Sequence, residues 1–135
     1  MHRFVIAIQP ASPLRPLEIG KFIAAARPRA QAGGVTGMMT GGGATYYQVL
    51  EGPQDVLNQM LDQLHAAGRF ASVRVISSRP AKTRAFDRLN MVYANPAYLA
   101  PAVRTSFAAL EEARSNTQQA EAAEAFVATH ARTAA

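Results

Sequence analysis

Residues 33–39, Gly-Gly-Val-Thr-Gly-Met-Met, and residues 46–53, Tyr-Tyr-Gln-Val-Leu-Glu-Gly-Pro, are the most informative part of the chain. A glycine triplet at positions 41–43 separates them and accepts the positive φ angles of a tight turn. Both stretches are apolar or β-branched, so Val35 to Thr40 and Thr45 to Glu51 are predicted to pair as a β-hairpin. The pattern places one polar amide, Gln48, inside an apolar strand.

A helix is predicted before the hairpin, because apolar residues repeat there at positions i, i+3, i+4 and i+7. Pro28 follows this stripe, and its ring clashes with the carbonyl group four residues earlier. We therefore expect Pro28 to end or distort the helix and residues 29–34 to form a loop. The stripe consists of Ile19, Phe22, Ile23 and Ala26.

A second helix is predicted directly after the hairpin. Pro53 suits the first helical position, and Gly68 is a plausible cap residue at the other end. Between them, apolar side chains recur at helical spacing. They are Val56, Leu57, Met60, Leu61 and Leu64.

Three further strands complete the pattern: Arg3 to Gln9, Ser72 to Ser78 and Arg88 to Tyr93. The element order is then β-α-β-β-α-β-β. This order predicts an α+β sandwich of the ferredoxin-like kind, with both helices on one face of the sheet. Tyr46 and Tyr47 point to opposite faces of their strand, and we expect one ring to be packed and the other exposed.

The composition changes after Pro101 to alanine, glutamate and glutamine. We expect a domain over residues 1–97 and a helical extension over residues 98–135, with a helix restart and capping box at residues 116–119. The extension has few apolar residues, which could cover the far face of the sheet or a neighbouring subunit. They are Phe107, Leu110, Phe126 and Val127.

The 135 residues carry a formal charge of +5 and include no cysteine, which excludes disulfides and thiolate chemistry. The length suits one core, and no apolar stretch approaches the roughly 18 residues of a spanning helix, so we expect a soluble, cytoplasmic protein. The densest basic segment alternates with strand residues, which favours a solvated sheet face over a nucleic-acid track. It consists of Arg74, Arg79, Lys82, Arg84 and Arg88.

Catalytic and metal-binding patterns are missing from the sequence. His2, His65 and His130 lie singly, and no second histidine or carboxylate stands at ligand spacing. There is no pair of carboxylates, no Ser/His/Asp set and no nucleophile elbow. We therefore expect neither an enzyme nor a metal site.

Several segments together resemble a known family over residues 3 to about 95. They are Val35-Thr36-Gly37, Gln48-Val49-Leu50-Glu51-Gly52, Arg69, Arg84 with Phe86, and Met91. In this combination the chain resembles the BLUF family, blue-light sensors using FAD. The resemblance implies a ferredoxin-like fold, with the flavin ring between the two helices.

The resemblance also implies a photochemical site, in which a first-strand tyrosine transfers an electron and a proton to the flavin and a glutamine relays the hydrogen-bond change. The glutamine corresponds to Gln48 and a last-strand methionine to Met91, but the tyrosine position is Ile6. The asparagine that bonds the ring falls on Ala30 and its neighbour on Arg29. Further ligand-holding positions correspond to Gln63, Ala67 and Phe70.

Two interpretations of this degenerate pocket stay open. In the favoured one, apolar side chains fill the space between the helices, namely Ile6, Phe22, Leu64 and Phe70. In the other, FAD still binds through backbone groups and Gln48, and the candidate pocket positions are Gln48, Met91, Phe22, Leu64 and Arg29. Gln48 has a structural alternative as well, in which it satisfies a buried backbone group.

The sequence thus favours a BLUF-like sensory or signalling domain that acts through protein contacts, as a homo-oligomer or with a protein partner. Because isoleucine offers no proton and is a poor electron donor, we expect this domain to lack the usual photocycle. One alternative is a blue-light photoreceptor with an unconventional FAD site. A second is a basic module for nucleic acid or another anion, whose binding would fall steeply with salt.

Overall fold

The computed structural model describes residues 1–87 and 89–134, the side chain of Ala134 excepted. One five-stranded sheet has the order β4-β1-β3-β2-β5. Its strands are β1 (His2–Pro10), β2 (Thr36–Gly42), β3 (Thr45–Gly52), β4 (Phe70–Pro80) and β5 (Asn90–Ala94). The α-helices are α1 (Pro16–Gly33), α2 (Gln54–Ala66), α3 (Pro101–Glu112) and α4 (Asn116–Ala134), and a short 3-10 helix spans Pro96–Tyr98.

The first strand lies inside the sheet, where it pairs antiparallel with both β3 and β4. β3 also pairs antiparallel with β2, and β5 joins β2 in parallel. This topology confirms the predicted α+β, ferredoxin-like fold with two helices on one face. Arg88, the predicted first residue of the last strand, lies outside the described residues, and the strand begins at Asn90.

The sheet is covered on both faces, because alternate side chains of each strand enter two separate apolar clusters. Ile6 and Leu50 pack with α1 and α2, whereas Val5 and Val49 belong to the cluster of α3 and α4. The apolar residues predicted in the extension, Phe107, Leu110, Phe126 and Val127, are all buried in this second cluster. The extension therefore covers the far face of the sheet within the same chain.

The second helical layer also overturns the prediction that one of the two adjacent tyrosines is exposed. Tyr46 and Tyr47 do point to opposite faces, but both side chains are buried. Tyr47 packs edge-to-face on Phe107, with ring centroids 5.6 Å apart. The prediction failed because the α3–α4 pair covers the face that the simple sandwich would have left to solvent.

Pro28 does not end the first helix, which continues to Gly33. Residues 29–33 are therefore helical, not a loop as predicted. Pro28 and Ala24 both lie on the exposed face of α1, where water can solvate the carbonyl that proline leaves unpaired. The added turn buries Ala30 completely, and Gly34 then caps the helix with φ +71°.

Two smaller predictions were also wrong. The helix restart at Asn116 is confirmed, but its capping box is formed one residue earlier, by Ser115 and Gln118. The Ser115 hydroxyl accepts from the Gln118 N–H, and the Gln118 side chain accepts from the Ser115 N–H. Arg84 is not part of a solvated sheet face. Its guanidinium donates to the carbonyl groups of Gly34 and Glu51 and to the Thr36 hydroxyl, and so ties the connection between α1 and β2 to the end of β3.

Within residues 1–87 and 89–134, no helix has both the length and the apolar character to cross a membrane.

Candidate functional site

A cavity of about 230 Å³ lies between α1 and α2, with β3 at its inner end. Its walls are mainly apolar, and its polar groups come from one strand residue and from three residues on or next to the helices. The lining residues on α1 are Phe22, Ala25, Ala26 and Arg29; those on or after α2 are Met60, Gln63, Leu64, Ala67, Arg69 and Phe70; Gln48 comes from β3.

Gln48 is the buried polar residue of this cavity. The residue is only 2% exposed, and its side-chain oxygen Oε1 accepts no hydrogen bond from any residue that the structure describes. The reason lies in the register, since Gln48 pairs with Ile6 on β1 and with Met39 on β2, and neither side chain can donate. The structural alternative for Gln48 is therefore wrong for this oxygen, which faces no backbone donor.

An unpaired amide oxygen in such a place is energetically unfavourable. Burying a polar group without a partner costs about 1–3 kcal/mol. Buried polar side chains nearly always have a partner in folded proteins, so each exception needs a reason. Here the exception belongs to a residue that lines a cavity, which points to a bound molecule as the missing partner of the Gln48 amide.

The walls and the mouth of the cavity differ in polarity. Phe22 and Phe70 are half-buried and meet edge-to-face, with ring centroids 5.6 Å apart, and Leu64 extends the apolar wall on α2. Arg29 and Arg69 are exposed and lie at the mouth. The site thus has a polar inner end, apolar sides and a positively charged opening.

The structure brings together four of the five residues that the sequence proposed for the pocket. Gln48, Phe22, Leu64 and Arg29 line the cavity, but Met91 does not. The two degenerate positions, Ile6 and Ala30, are also absent from the lining, and both are completely buried in the core.

Met91 occupies an unusual backbone position instead. It is fully buried and has a backbone φ angle of +68°, a value that residues other than glycine rarely adopt. The parallel pairing of β2 with β5 is shifted in register at this point, and the Arg27 guanidinium donates to the Met91 carbonyl at 3.3 Å. Met91 therefore shapes the edge strand behind α1, away from the cavity.

Sequence reasoning missed the small residues that keep the cavity open. Ala25 and Ala26 on α1 line it, and neither was among the predicted pocket residues. Ala67 after α2 also lines it, at a position where the family resemblance implied a ligand-holding residue. The spacing of the sequence could have predicted the two alanines of α1 as pocket residues. One helical face carries the positions i, i+3, i+4 and i+7, which here are Phe22, Ala25, Ala26 and Arg29. That face turns toward α2.

Tyr46 lies two residues before Gln48 on β3 and therefore on the same face of the sheet. It does not line the cavity, and its ring packs 6.4 Å from that of Tyr93. Burial raises the pKa of Tyr46, so its phenol stays protonated at neutral pH. Tyr46 therefore does not take the place of a phenol at position 6.

A buried ionic network fixes the end of β3 close to the site. The Glu51 carboxylate is completely buried, accepts from the N–H groups of Ala85 and Phe86 at 2.9 and 2.8 Å, and pairs with the Arg3 guanidinium at 2.9 Å. Arg3 also reaches Glu124 on α4 at 3.3 Å. The strand that carries Gln48 is thus linked to the helical layer on the opposite face.

Comparison with solved structures identifies relatives of the same fold. BlrB, a BLUF protein in its dark state, aligns with a TM-score of 0.75 at 18% identity, over 98% of this chain and 96% of BlrB. A bacterial light-regulated adenylyl cyclase aligns with a TM-score of 0.71 at 15% identity, over 82% of this chain and 34% of the cyclase. Klebsiella pneumoniae BlrP1 with FMN and cyclic diGMP aligns with a TM-score of 0.65 at 18% identity, over 73% of this chain and 27% of BlrP1.

These likenesses establish the fold, and the chain spans about a third or less of the length of the cyclase and of BlrP1. No protein of curated function matches the sequence. The family model for BLUF, sensors of blue-light using FAD, matches residues 1–92, which is most of the chain. The chain therefore belongs to the BLUF family.

Proposed function

We propose that this chain is a BLUF sensory domain that binds the flavin ring of FAD in the cavity between α1 and α2, and that it lacks the tyrosine-driven photocycle. The observation that carries the proposal is the buried amide of Gln48, a residue that lines this cavity and whose Oε1 has no hydrogen-bond partner among the described residues. A flavin ring has an N–H group and flat apolar faces. Both match what the cavity offers.

The size and walls of the cavity support a flat ring system as the bound group. Ligand pockets commonly measure roughly 300–1,000 Å³, so a cavity of about 230 Å³ suits one ring system and not a whole dinucleotide. Phe22, Leu64 and Phe70 supply apolar contacts for its faces and edges. The favoured sequence interpretation, with side chains filling this space, is supported less well, because Ile6 lies in the core behind Gln48.

The same register argues against the usual light reaction. Ile6 lies directly opposite Gln48 on the neighbouring strand, the place from which a family tyrosine would act. An aliphatic side chain has neither a proton nor an accessible electron to give. A bound flavin would supply absorption of blue light. At the site this chain has Gln48, but it has no tyrosine at position 6 to give an electron and a proton.

Signalling through protein contacts is the output that we propose. The Glu51–Arg3–Glu124 network couples the α3–α4 layer to β3. Gln48 stands only three residues before Glu51 on this strand, so a change at Gln48 occurs close to the contact with the outer helices. The partner is a protein surface or a second copy of the chain. The adenylyl cyclase named above is light-regulated and shares this fold over part of its length.

Replacing Gln48 with leucine tests the binding site directly. In the flavin-free protein we expect the change to raise the free energy of unfolding by about 1 kcal/mol, because it removes a buried unpaired oxygen. The same change should weaken FAD binding about tenfold, the worth of one buried hydrogen bond. Urea unfolding measures the first effect, and titration followed by flavin absorbance measures the second.

Gln59→Leu is the matched control, since Gln59 is an exposed residue of α2 that does not line the cavity. It should change both quantities little. A loss of stability in the flavin-free Gln48→Leu protein would mean that Gln48 has a structural partner. Failure of the unmodified chain to bind FAD would contradict the proposal and return the pocket to an apolar core.

A pair of substitutions at Ile6 tests the missing photocycle. The FAD-loaded protein should give no red-shifted state on illumination, whereas Ile6→Tyr restores a phenol opposite Gln48, within about 4.5–5.5 Å between Cβ atoms. We expect the red shift to appear in that variant. Ile6→Phe has nearly the same bulk without the hydroxyl, so it should bind FAD but stay silent. A red shift in the unmodified chain would disprove the role assigned to Ile6.

A further inference from the structure

The charge at the mouth of the cavity is entirely positive. Arg29 on α1 and Arg69 just after α2 both line it, and none of its lining residues is acidic. A ligand whose ring occupies the cavity carries its remaining groups out through this opening. The opening therefore favours a negatively charged group at the outer end of the ligand.

The two arginines differ in their surroundings. Arg69 is close enough to Glu18 to contribute, after the hydrogen bonds from Arg15, to lowering the pKa of that carboxyl. Arg29 forms no salt bridge with any acidic residue in the described part of the chain. No acidic side chain of the described residues therefore competes with a ligand for the guanidinium of Arg29.

The continuation of α1 past Pro28 brings Arg29 to this place. Because the helix stays regular, Arg29 falls seven residues after Phe22, on the face that also carries Ala25 and Ala26. Ala30, one position later, turns into the core and is completely buried. The asparagine-like contact expected at position 30 is thus absent, and α1 presents a guanidinium to the site from position 29.

We propose that Arg29 is a specificity-determining residue, which makes the cavity select flavins that carry a phosphate over flavins of the same ring without one. This inference rests on the proposed flavin binding. The physical basis is the charge-assisted pairing of guanidinium with phosphate, which a neutral ribityl chain cannot form. Because the mouth is exposed, salt should weaken the preference.

Riboflavin and FMN provide the test, since they share the ring and differ by one phosphate. The full chain is titrated with each at low and at high salt, and binding is followed by flavin absorbance and fluorescence. At low salt we expect FMN to bind about tenfold more tightly than riboflavin, from two arginines that contribute about two- to fivefold each. In Arg29→Gln this ratio should fall by about two- to fivefold, because the variant loses more affinity for FMN than for riboflavin.

Two control variants isolate the position and the charge. Lys21→Gln removes the same charge from an exposed residue of α1 that does not line the cavity, and should leave the ratio unchanged. Arg29→Lys keeps the charge and should retain most of the preference.

The possible failures are distinguishable. Equal affinities for FMN and riboflavin, or an unchanged ratio in Arg29→Gln, would overturn the role of Arg29 and leave flavin binding in place. If neither flavin binds, the proposed function fails, and the inference fails with it.

Discussion

Replacing Glu51 with alanine is expected to destabilise the protein by about 3–5 kcal/mol, the usual cost of breaking a buried ion pair by removing one partner. Glu51 is completely buried, and its two carboxylate oxygens satisfy the Ala85 and Phe86 N–H groups together with the Arg3 guanidinium. All three donors lose their acceptor in the variant. The loss is measured as the free energy of unfolding from denaturant titration.

Two further variants separate the charge from the volume. Glu51→Gln keeps the size but not the charge, and its amide N–H groups would meet existing donors, so it should also be destabilising. Glu124→Gln changes the partly exposed outer carboxylate of the same network and should cost about 1 kcal/mol or less. A Glu51→Ala protein within 1 kcal/mol of the parent would refute the assigned role of this carboxylate.

Gly37→Ala is expected to cost about 3 kcal/mol, at the upper end of the usual overpacking penalty. A Cβ atom at this position would lie 2.0 Å from the carbonyl oxygen of Val49, a backbone atom that cannot rotate away. β2 cannot shift to relieve the clash without losing other bonds, since the Gly37 N–H donates to the Leu89 carbonyl at 2.6 Å. The clash is thus transmitted to the β2–β3 pairing.

Gly42→Ala in the same strand is the matched control. No atom lies within 4 Å of its added Cβ, so the free energy of unfolding should change by about 0.5 kcal/mol or less. Comparable losses in the two variants would contradict the close strand approach. The comparison also tests whether the close approach of the Val49 carbonyl is the reason for a glycine in the Val35-Thr36-Gly37 motif.

Local patterns predicted the hairpin and α2 well, because their signals agree with one another. The glycine triplet, the apolar and β-branched run of β3 and the helical spacing from Val56 to Leu64 each specify an element without help from distant residues. The prediction for Pro28 failed for the opposite reason. Continuation of α1 is favoured by the burial of Ala30 and the bond from Arg27 to Met91, which local sterics cannot reveal.

The site was predictable in its residues but not in its shape. Gln48, Phe22, Leu64 and Arg29 could be placed from the family pattern. Whether the space between α1 and α2 is filled depends on how far apart the helices lie, and that distance follows from the whole packing of both layers. The missing partner of Gln48 also required the register of three strands, which places apolar residues on either side of it.

The inner position of β1 also constrains the order in which this molecule folds. Ile6 needs Gln48 on one side and Val75 on the other, so the sheet cannot close before β4 is in place. Such long-range pairing is slow and leaves apolar surface uncovered in the meantime. Without α3 and α4 in place, a complete sheet would expose the apolar side chains of its far face, so the docking of both helices also protects the chain from aggregation.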